Sequence, residues 1–239
     1  MQERRCDYWF ALAFALSFPT VVTLVYFVLL ADRPAWQQQA AYTIGKSIQF
    51  AFTAVWVFLI LREPLIRQAP TTRAVAMGLG FGALVLAMMI GLYAGVFKPL
   101  GFLERVGAEV RDKVVGMQLN TVGRFAAMGV FYAICHSLLE EYYWRWFVHG
   151  RLRRRLGWAP ATCISSFGFM AHHVILLATY FGWTSAWTYV FSLGVAIGGA
   201  FWAWLYESSR SLYGPWLSHL LVDAAIFLIG YDLVRGVLS

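Results

Sequence analysis

The run YWFALAFALSFPTVVTLVYFVLLA, residues 8–31, carries no charged side chain from end to end. A helix of this length crosses the roughly 30 Å hydrocarbon core of a bilayer. The run is too long for the core of a signal peptide and lacks a small-residue cleavage site. It therefore predicts a transmembrane helix of the mature protein.

Further apolar runs of spanning length follow at 41–61, 74–97, 124–147, 159–182, 184–207 and 212–234. Each should be a helix, because an open strand cannot satisfy its backbone in lipid. The composition agrees, since 60% of the residues are apolar and 13% are charged, against about 25% charged in soluble domains. We predict an all-α fold, a polytopic transmembrane helical bundle with about seven spanning helices, as a single integral membrane domain over 1–239.

One long polar connection, residues 98–123, separates the third and fourth runs. Within it, apolar residues recur at helical spacing among acidic and basic ones, at Leu103, Val106, Val110 and Val114. This pattern predicts an amphipathic helix that lies at the membrane interface.

The formal net charge of +7 comes from arginines in short loops between the apolar runs. With a cytoplasmic N-terminus, the arginines inside are Arg4, Arg5, Arg62, Arg67, Arg73, Arg151, Arg153, Arg154, Arg155 and Arg210. The positive-inside rule favours this orientation, and we expect a bacterial inner membrane. The lack of a soluble basic face argues against nucleic-acid binding, and the sequence does not define an oligomeric state.

Ionisable residues inside the predicted spans form three clusters in the C-terminal half. The sequences are CHSLLEEYYWRWF (135–147), with His136, Glu140, Glu141 and Arg145; SSFGFMAHHV (165–174), with His172 and His173; and WLSHLLVDAA (216–225), with His219 and Asp223. A charge at the centre of a spanning helix costs about 2.5–3.5 kcal/mol, so such groups need a compensating use.

Helical spacing sorts these residues. Glu141 and Arg145 are four apart and can pair, whereas Glu140 points about 100° away from Glu141 and can serve another task. His219 and Asp223 are also four apart, so the carboxylate can orient the imidazole or bind a substrate backbone.

A glutamate with two histidines at membrane depth suits peptide-bond hydrolysis. The carboxylate would take a proton from water and return it to the leaving amine, while a histidine stabilises the oxyanion. The same side chains could instead hold zinc. Three alternatives stay open: a proton-coupled transporter, a non-catalytic membrane scaffold, and a haem protein with His136, His173 and His219 as ligands.

The three clusters resemble the motifs of the CPBP family of intramembrane proteases, which includes CAAX prenyl endopeptidases of the Rce type and Abi-like proteins. The EExxxR motif is similar to Glu140, Glu141 and Arg145. The FxxxH motif is similar to Phe169 and His173, and the HxxxN or HxxxD motif to His219 and Asp223. The resemblance covers 124–234, which we take as the catalytic core.

The resemblance implies a cavity that admits the C-terminal or juxtamembrane part of a membrane-anchored protein or peptide. Glu140 would activate water, His173 would position it, and His219 with Asp223 would stabilise the oxyanion. Glu141, Arg145 and Phe169 would support the site. We expect a glutamate-dependent enzyme without a cofactor, the alternative being zinc on Glu140, His173 and His219.

Three further points concern the family branch, Asp223 and His136. The run EEYYWRWF (140–147) is similar to a bacterial branch that cuts or transfers proteins at C-terminal sorting signals, the myxosortase-like group. Many family members carry Asn where Asp223 stands. His136 is outside the family motifs, and we expect it to pack or to hydrogen-bond behind the site.

Overall fold

The computed structural model describes residues 5–64 and 69–239, with side-chain burial from residue 8 onward. Within these ranges the regular structure is entirely helical. Seven helices are long and apolar enough to cross a membrane: Tyr8–Leu29, Ala35–Ile60, Thr72–Phe97, Val122–Leu156, Trp158–Phe181, Ala186–Ser209 and Tyr213–Val237. The all-α, polytopic prediction is confirmed, and the chain is an integral membrane protein. Arg4 and Arg67, which entered the charge argument, lie outside the described residues.

The α-helices of the described chain are α1 (Arg5–Leu24), α2 (Ala35–Ala54), α3 (Thr72–Leu92), α4 (Glu104–Gly116), α5 (Val122–Val130), α6 (Ser137–Glu141), α7 (Gly150–Leu156), α8 (Trp158–Phe181), α9 (Ala186–Ser209) and α10 (Tyr213–Val234). Stretches of π-helix extend or join them at Val25–Leu29, Val55–Ile60, Tyr93–Phe97, Phe131–His136 and Tyr142–His149.

Two predicted ends are wrong. The second span begins at Ala35 rather than 41, because Pro34 starts the helix and its polar first turn still folds as helix. The fourth run of helix continues past 147 to Leu156. Arginine is a good helix former, and the run stops only at Gly157, whose φ of 85° suits glycine.

The described chain forms two compact units, of which the first comprises residues 1–69 and 142–210. In this unit α8 packs against α9 and α1. Its core is aromatic, with Trp144 and Phe169 buried in T-shaped contact at 5.7 Å. Tyr143 is also buried and donates a 2.8 Å hydrogen bond to the carbonyl of Ala15 in α1.

The second unit comprises residues 70–141 and 211–239, and its centre is the contact between α3 and α10. Gly78 and Gly214 meet backbone to backbone, since a Cβ on Gly78 would lie 2.2 Å from the Gly214 carbonyl oxygen. A Cβ on Gly82 would lie 2.9 Å from Cα of Ser218. This close approach fixes the part of α10 that carries His219.

The predicted amphipathic helix forms as α4 in the second unit. Its Val114 is buried against Phe125 of α5 and Val234 of α10. The apolar face of α4 therefore packs in part on protein. The prediction of a single domain over 1–239 stays a prediction.

Candidate active site

Glu140 and Glu141 end α6, which directly follows the π-helical stretch Phe131–His136. A π-helix bonds residue i to i+5, so it holds an extra residue per turn and rotates the side chains that follow. Glu140 is 3% exposed and Glu141 is fully buried. The two acids are therefore adjacent and both buried.

His219 of α10 lies between these acids. Its Nδ1 is 2.9 Å from Oε1 of Glu141, whereas its Nε2 is 3.9 Å from Oε2 of Glu140. Oδ1 of Asp223 lies 3.6 Å from the same Nε2. One buried imidazole is therefore surrounded by three carboxyl groups, and we call these four residues the acid–histidine cluster.

The hydrogen bond that orients His219 comes from Glu141. Asp223, which was expected to orient the imidazole, lies 3.6 Å from Nε2, beyond a hydrogen bond. The pairing of Glu141 with Arg145 stays a prediction. With Nδ1–H donating to Glu141, the neutral ring carries a lone pair on Nε2. Only the protonated ring can donate from Nε2, so the cluster can present a cationic donor.

Two residues outside the cluster lie next to it or help to position it. His136 lies beside Glu140, with Nε2 3.7 Å from Oε1, and its ring contacts Tyr132 at 4.7 Å. Trp216 was missed by the sequence analysis, although it precedes His219 by one turn of α10. Its indole N–H donates to the carbonyl of Ile134 at 2.9 Å. This bond ties α10 to the π-helical stretch that presents Glu140.

The remaining motif residues lie in the first unit. Phe169 is buried, with the Arg145 guanidinium 4.8 Å from its ring centre and the His173 ring at 4.7 Å. His173 donates from Nδ1 to the Phe169 carbonyl at 2.9 Å, so its neutral ring presents Nε2 as an acceptor. His172 instead stacks on Trp144 at 5.9 Å.

The fit to a metal can be judged from the donor set. Within the described ranges, no three His, Cys, Asp or Glu side chains stand in an arrangement that would hold a metal ion. In the acid–histidine cluster the acids and the imidazole are instead directed at one another. The cluster by itself is not a preformed zinc site. The zinc alternative, which also includes His173, stays a prediction, and no step below passes through a metal.

Residues 122–225 match the family model of the type II CAAX prenyl endopeptidase Rce1-like proteins. The matched stretch begins at α5 and includes all three motifs. The resemblance to CPBP intramembrane proteases is thereby confirmed, and the match supports an intramembrane endopeptidase of the CAAX type. Comparison with curated proteins and with solved structures gave no match. The myxosortase-like branch stays a prediction.

Proposed function

We propose that this Rce1-like chain is an endopeptidase in which Glu140 activates water to cut a membrane-anchored protein or peptide. The cut would fall near the C-terminal or juxtamembrane part of the substrate. The single observation that carries the proposal is the buried imidazole of His219 among three carboxyl groups. A structural ion pair needs one acid, whereas hydrolysis needs both a proton acceptor and an oxyanion donor.

In the first step, the Glu140 carboxylate accepts a proton from water while the water oxygen bonds to the scissile carbonyl carbon. The carbonyl π electrons move to oxygen and form an oxyanion. The protonated His219 donates from Nε2 to this oxyanion, while its Nδ1–H stays bonded to Glu141. The negative charge thus forms beside a fixed positive one.

In the second step, the carbon–nitrogen bond breaks as the carbonyl re-forms. The protonated Glu140 gives its proton to the leaving amine and returns to a carboxylate. One water is consumed, and the products are a new carboxyl terminus and a new amine. Glu140 is therefore both base and acid, while Glu141 is a positioning residue.

The proposed role of His173 in positioning water is supported by its place in the FxxxH motif. Its Nδ1–H is held by the Phe169 carbonyl, so Nε2 can accept a hydrogen bond from the attacking water. Asp223 would act through His219 by adding negative charge near Nε2. We propose that the enzyme needs no metal.

The proposal is tested in host cells by mass spectrometry of membrane and secreted protein termini. Cells carry the wild type, Glu140→Gln, or the control Glu109→Gln, all at matched expression. Glu109 lies in α4 and pairs with Arg105 at 3.1 Å, outside the cluster. New C-termini should appear with the wild type and the control and be absent with Glu140→Gln. Identical termini in all three, with the variants correctly inserted, would sink the hydrolase and favour the transporter or the scaffold.

Metal dependence is tested on the purified protein once a substrate is known. Cleavage should persist after prolonged treatment with a chelator. Loss of cleavage that is restored by zinc would overturn the metal-free mechanism and leave the peptidase in place.

We also propose that the protein lies in a bacterial cytoplasmic membrane with its N-terminus inside. The arginine-rich stretch 151–155 supports this orientation. A single cysteine placed at Arg155, in a variant lacking the native cysteines, should be labelled by an impermeant reagent only in inverted vesicles. Labelling in intact cells would reverse the orientation.

A further inference from the structure

A cavity of about 260 Å³ lies in the first compact unit, where several helices end. Four arginines line it, together with Glu63 and Trp146: Arg151, Arg153, Arg154 and Arg210. We call this cavity the arginine pocket. It takes no part in the hydrolysis proposed above.

Ion pairing in the arginine pocket leaves positive charge in excess. Glu63 is the acidic residue in the described lining, and it binds Arg151 through both oxygens, at 2.8 and 2.6 Å. The same carboxylate also accepts from Arg154 at 3.0 Å. A guanidinium has five N–H donors, so these bonds satisfy only part of what the two arginines offer.

The other two arginines share a second carboxylate. Oε1 of Glu207 lies 3.1 Å from Nε of Arg153 and 3.0 Å from Nη2 of Arg210. Two carboxylates are thus divided among four guanidinium groups, which leaves a formal excess of two positive charges. A site with this balance attracts an anion.

The arginines of the pocket differ in how far their side chains are exposed. The Arg151 side chain is 7% exposed and forms the bidentate pair with Glu63, whereas the side chains of Arg154 and Arg210 are 60% and 51% exposed. Arg210 follows α9 with φ of 56°, a left-handed position where helices commonly end in glycine. An arginine is held there with its guanidinium at the mouth.

Apolar and aromatic side chains complete the lining. Val57, Trp146 and Tyr206 border the pocket beside the arginines. Aromatic side chains of this kind favour the level of the lipid headgroups, and basic pockets between spanning helices bind anionic headgroups. The mixture suits a ligand with a charged end and an apolar body.

We propose that the arginine pocket binds a phosphate group, carried by an anionic phospholipid or by a soluble phosphate. The guanidinium fork matches two phosphate oxygens at once, which an ammonium group does not. Arg154 and Arg210 bind the phosphate oxygens, while Glu63 and Glu207 hold the guanidinium groups apart. The ring of Trp146 contacts the uncharged part of a lipid ligand.

The test uses the full-length protein in detergent, with retained lipid measured by native mass spectrometry. The probes are dioleoyl phosphatidylglycerol, dioleoyl phosphatidylcholine and inorganic phosphate. The variants are Arg154→Gln, Arg210→Gln and their double. The control, Arg155→Gln, removes the same charge from the neighbouring residue, whose guanidinium lies over the Tyr8 ring at 4.9 Å. Thermal unfolding checks that each variant is folded.

Phosphatidylglycerol should bind the wild type and Arg155→Gln about equally. Binding should fall by about tenfold, which corresponds to about 1.4 kcal/mol, in each single variant and further in the double. Displacement of the lipid by millimolar inorganic phosphate would assign the pocket to soluble phosphate, and no displacement would assign it to lipid. Equal binding of phosphatidylcholine, or an equal loss in Arg155→Gln, would overturn the proposal.

Discussion

The acid–histidine cluster and the arginine pocket use the same kind of interaction in opposite proportions. In the cluster, three carboxyl groups surround the single imidazole of His219, and the side chains are almost fully buried. In the pocket, four guanidinium groups share two carboxylates, and three of the four arginine side chains reach the surface.

The proportion of acids to bases decides what each region can do. Carboxyl groups and an imidazole can both accept and return protons. Excess guanidinium groups stay protonated at any physiological pH, so they can attract an anion but cannot exchange a proton. The cluster is therefore suited to the proposed hydrolysis, and the pocket to the proposed binding of an anion.

The largest effect is expected when the cluster loses its imidazole. His219→Gln removes the cationic donor and leaves three carboxyl groups facing one another. Cleavage should fall by about 10³-fold, the upper range for loss of an oxyanion donor, measured as kcat/KM on an identified substrate. His149→Gln changes a buried histidine of the first unit, bonded to Thr162 at 3.2 Å, and should stay within about threefold. An active His219→Gln enzyme would remove the cluster from the mechanism.

Glu141→Gln keeps the acceptor for the His219 Nδ1–H and removes its charge. Because the amide oxygen can still orient the ring, kcat should fall by only about 10–100-fold. If Glu141 acts through its charge, Glu141→Gln should also shift the pH–rate profile. The control Glu109→Gln should leave the profile unchanged. An unchanged profile with a reduced rate would point to packing rather than to His219.

The contact of α3 with α10 should matter for the cluster and not for the pocket. Gly78→Ala would force the added Cβ into the Gly214 carbonyl and separate the two helices. We expect a loss of about 1–3 kcal/mol in the free energy of unfolding, together with reduced cleavage. Gly80→Ala is the matched control, since its Cβ would meet nothing within 4 Å. Equal melting of the two variants in detergent would contradict the close packing.

The smallest effect is expected from Glu63 in the arginine pocket. Partial burial alone would raise its pKa, but hydrogen bonds and charges from Arg151 and Arg154 outweigh this and hold the pKa below the ordinary value. A carboxyl group with a lowered folded-state pKa stabilises the protein above its unfolded pKa. That contribution is lost as the pH falls through the folded pKa.

Glu63→Gln should therefore lower the melting temperature at pH 7 by no more than about 3 °C, because a half-exposed pair is worth under about 1 kcal/mol. The difference from wild type should shrink toward zero as the pH falls through the lowered pKa of Glu63 and the wild-type carboxyl group becomes protonated. Glu104→Gln is the matched control, because it makes the same substitution at an exposed glutamate of α4. A difference that grows on acidification would contradict the pairing.

The spanning helices could be predicted because hydropathy is a local property of the chain. The predicted end of the fourth helix was wrong because the helix continues through the polar residues from Arg151 onward, beyond the end of the apolar run. The candidate site residues were also found locally, because ionisable groups are conspicuous in an apolar helix. Their placement as catalytic groups remains a prediction that the variants above test.

The partners within the site could not be predicted from sequence. Glu141 accepts a hydrogen bond from His219, which lies 78 residues further along the chain, and spacing within one helix cannot indicate such a partner. Trp216 donates a hydrogen bond to a backbone carbonyl of another helix, and neither helix sequence contains a pattern that indicates this contact. Spacing within one helix reports which residues share a face, but only the packing of α10 decides which faces meet.

The π-helical stretch Phe131–His136 also bears on how the chain tolerates changes in length. Deleting one residue from an ordinary helix rotates everything beyond it by about 100° and disrupts the packing. A π turn already holds one residue in excess, so a deletion there can relax into a regular α-helix with its hydrogen bonds intact. The shortened chain would insert and fold with Glu140 still facing His219. An alignment without a gap in this stretch would pair Glu140 with the wrong residue of any homologue that has the shorter helix.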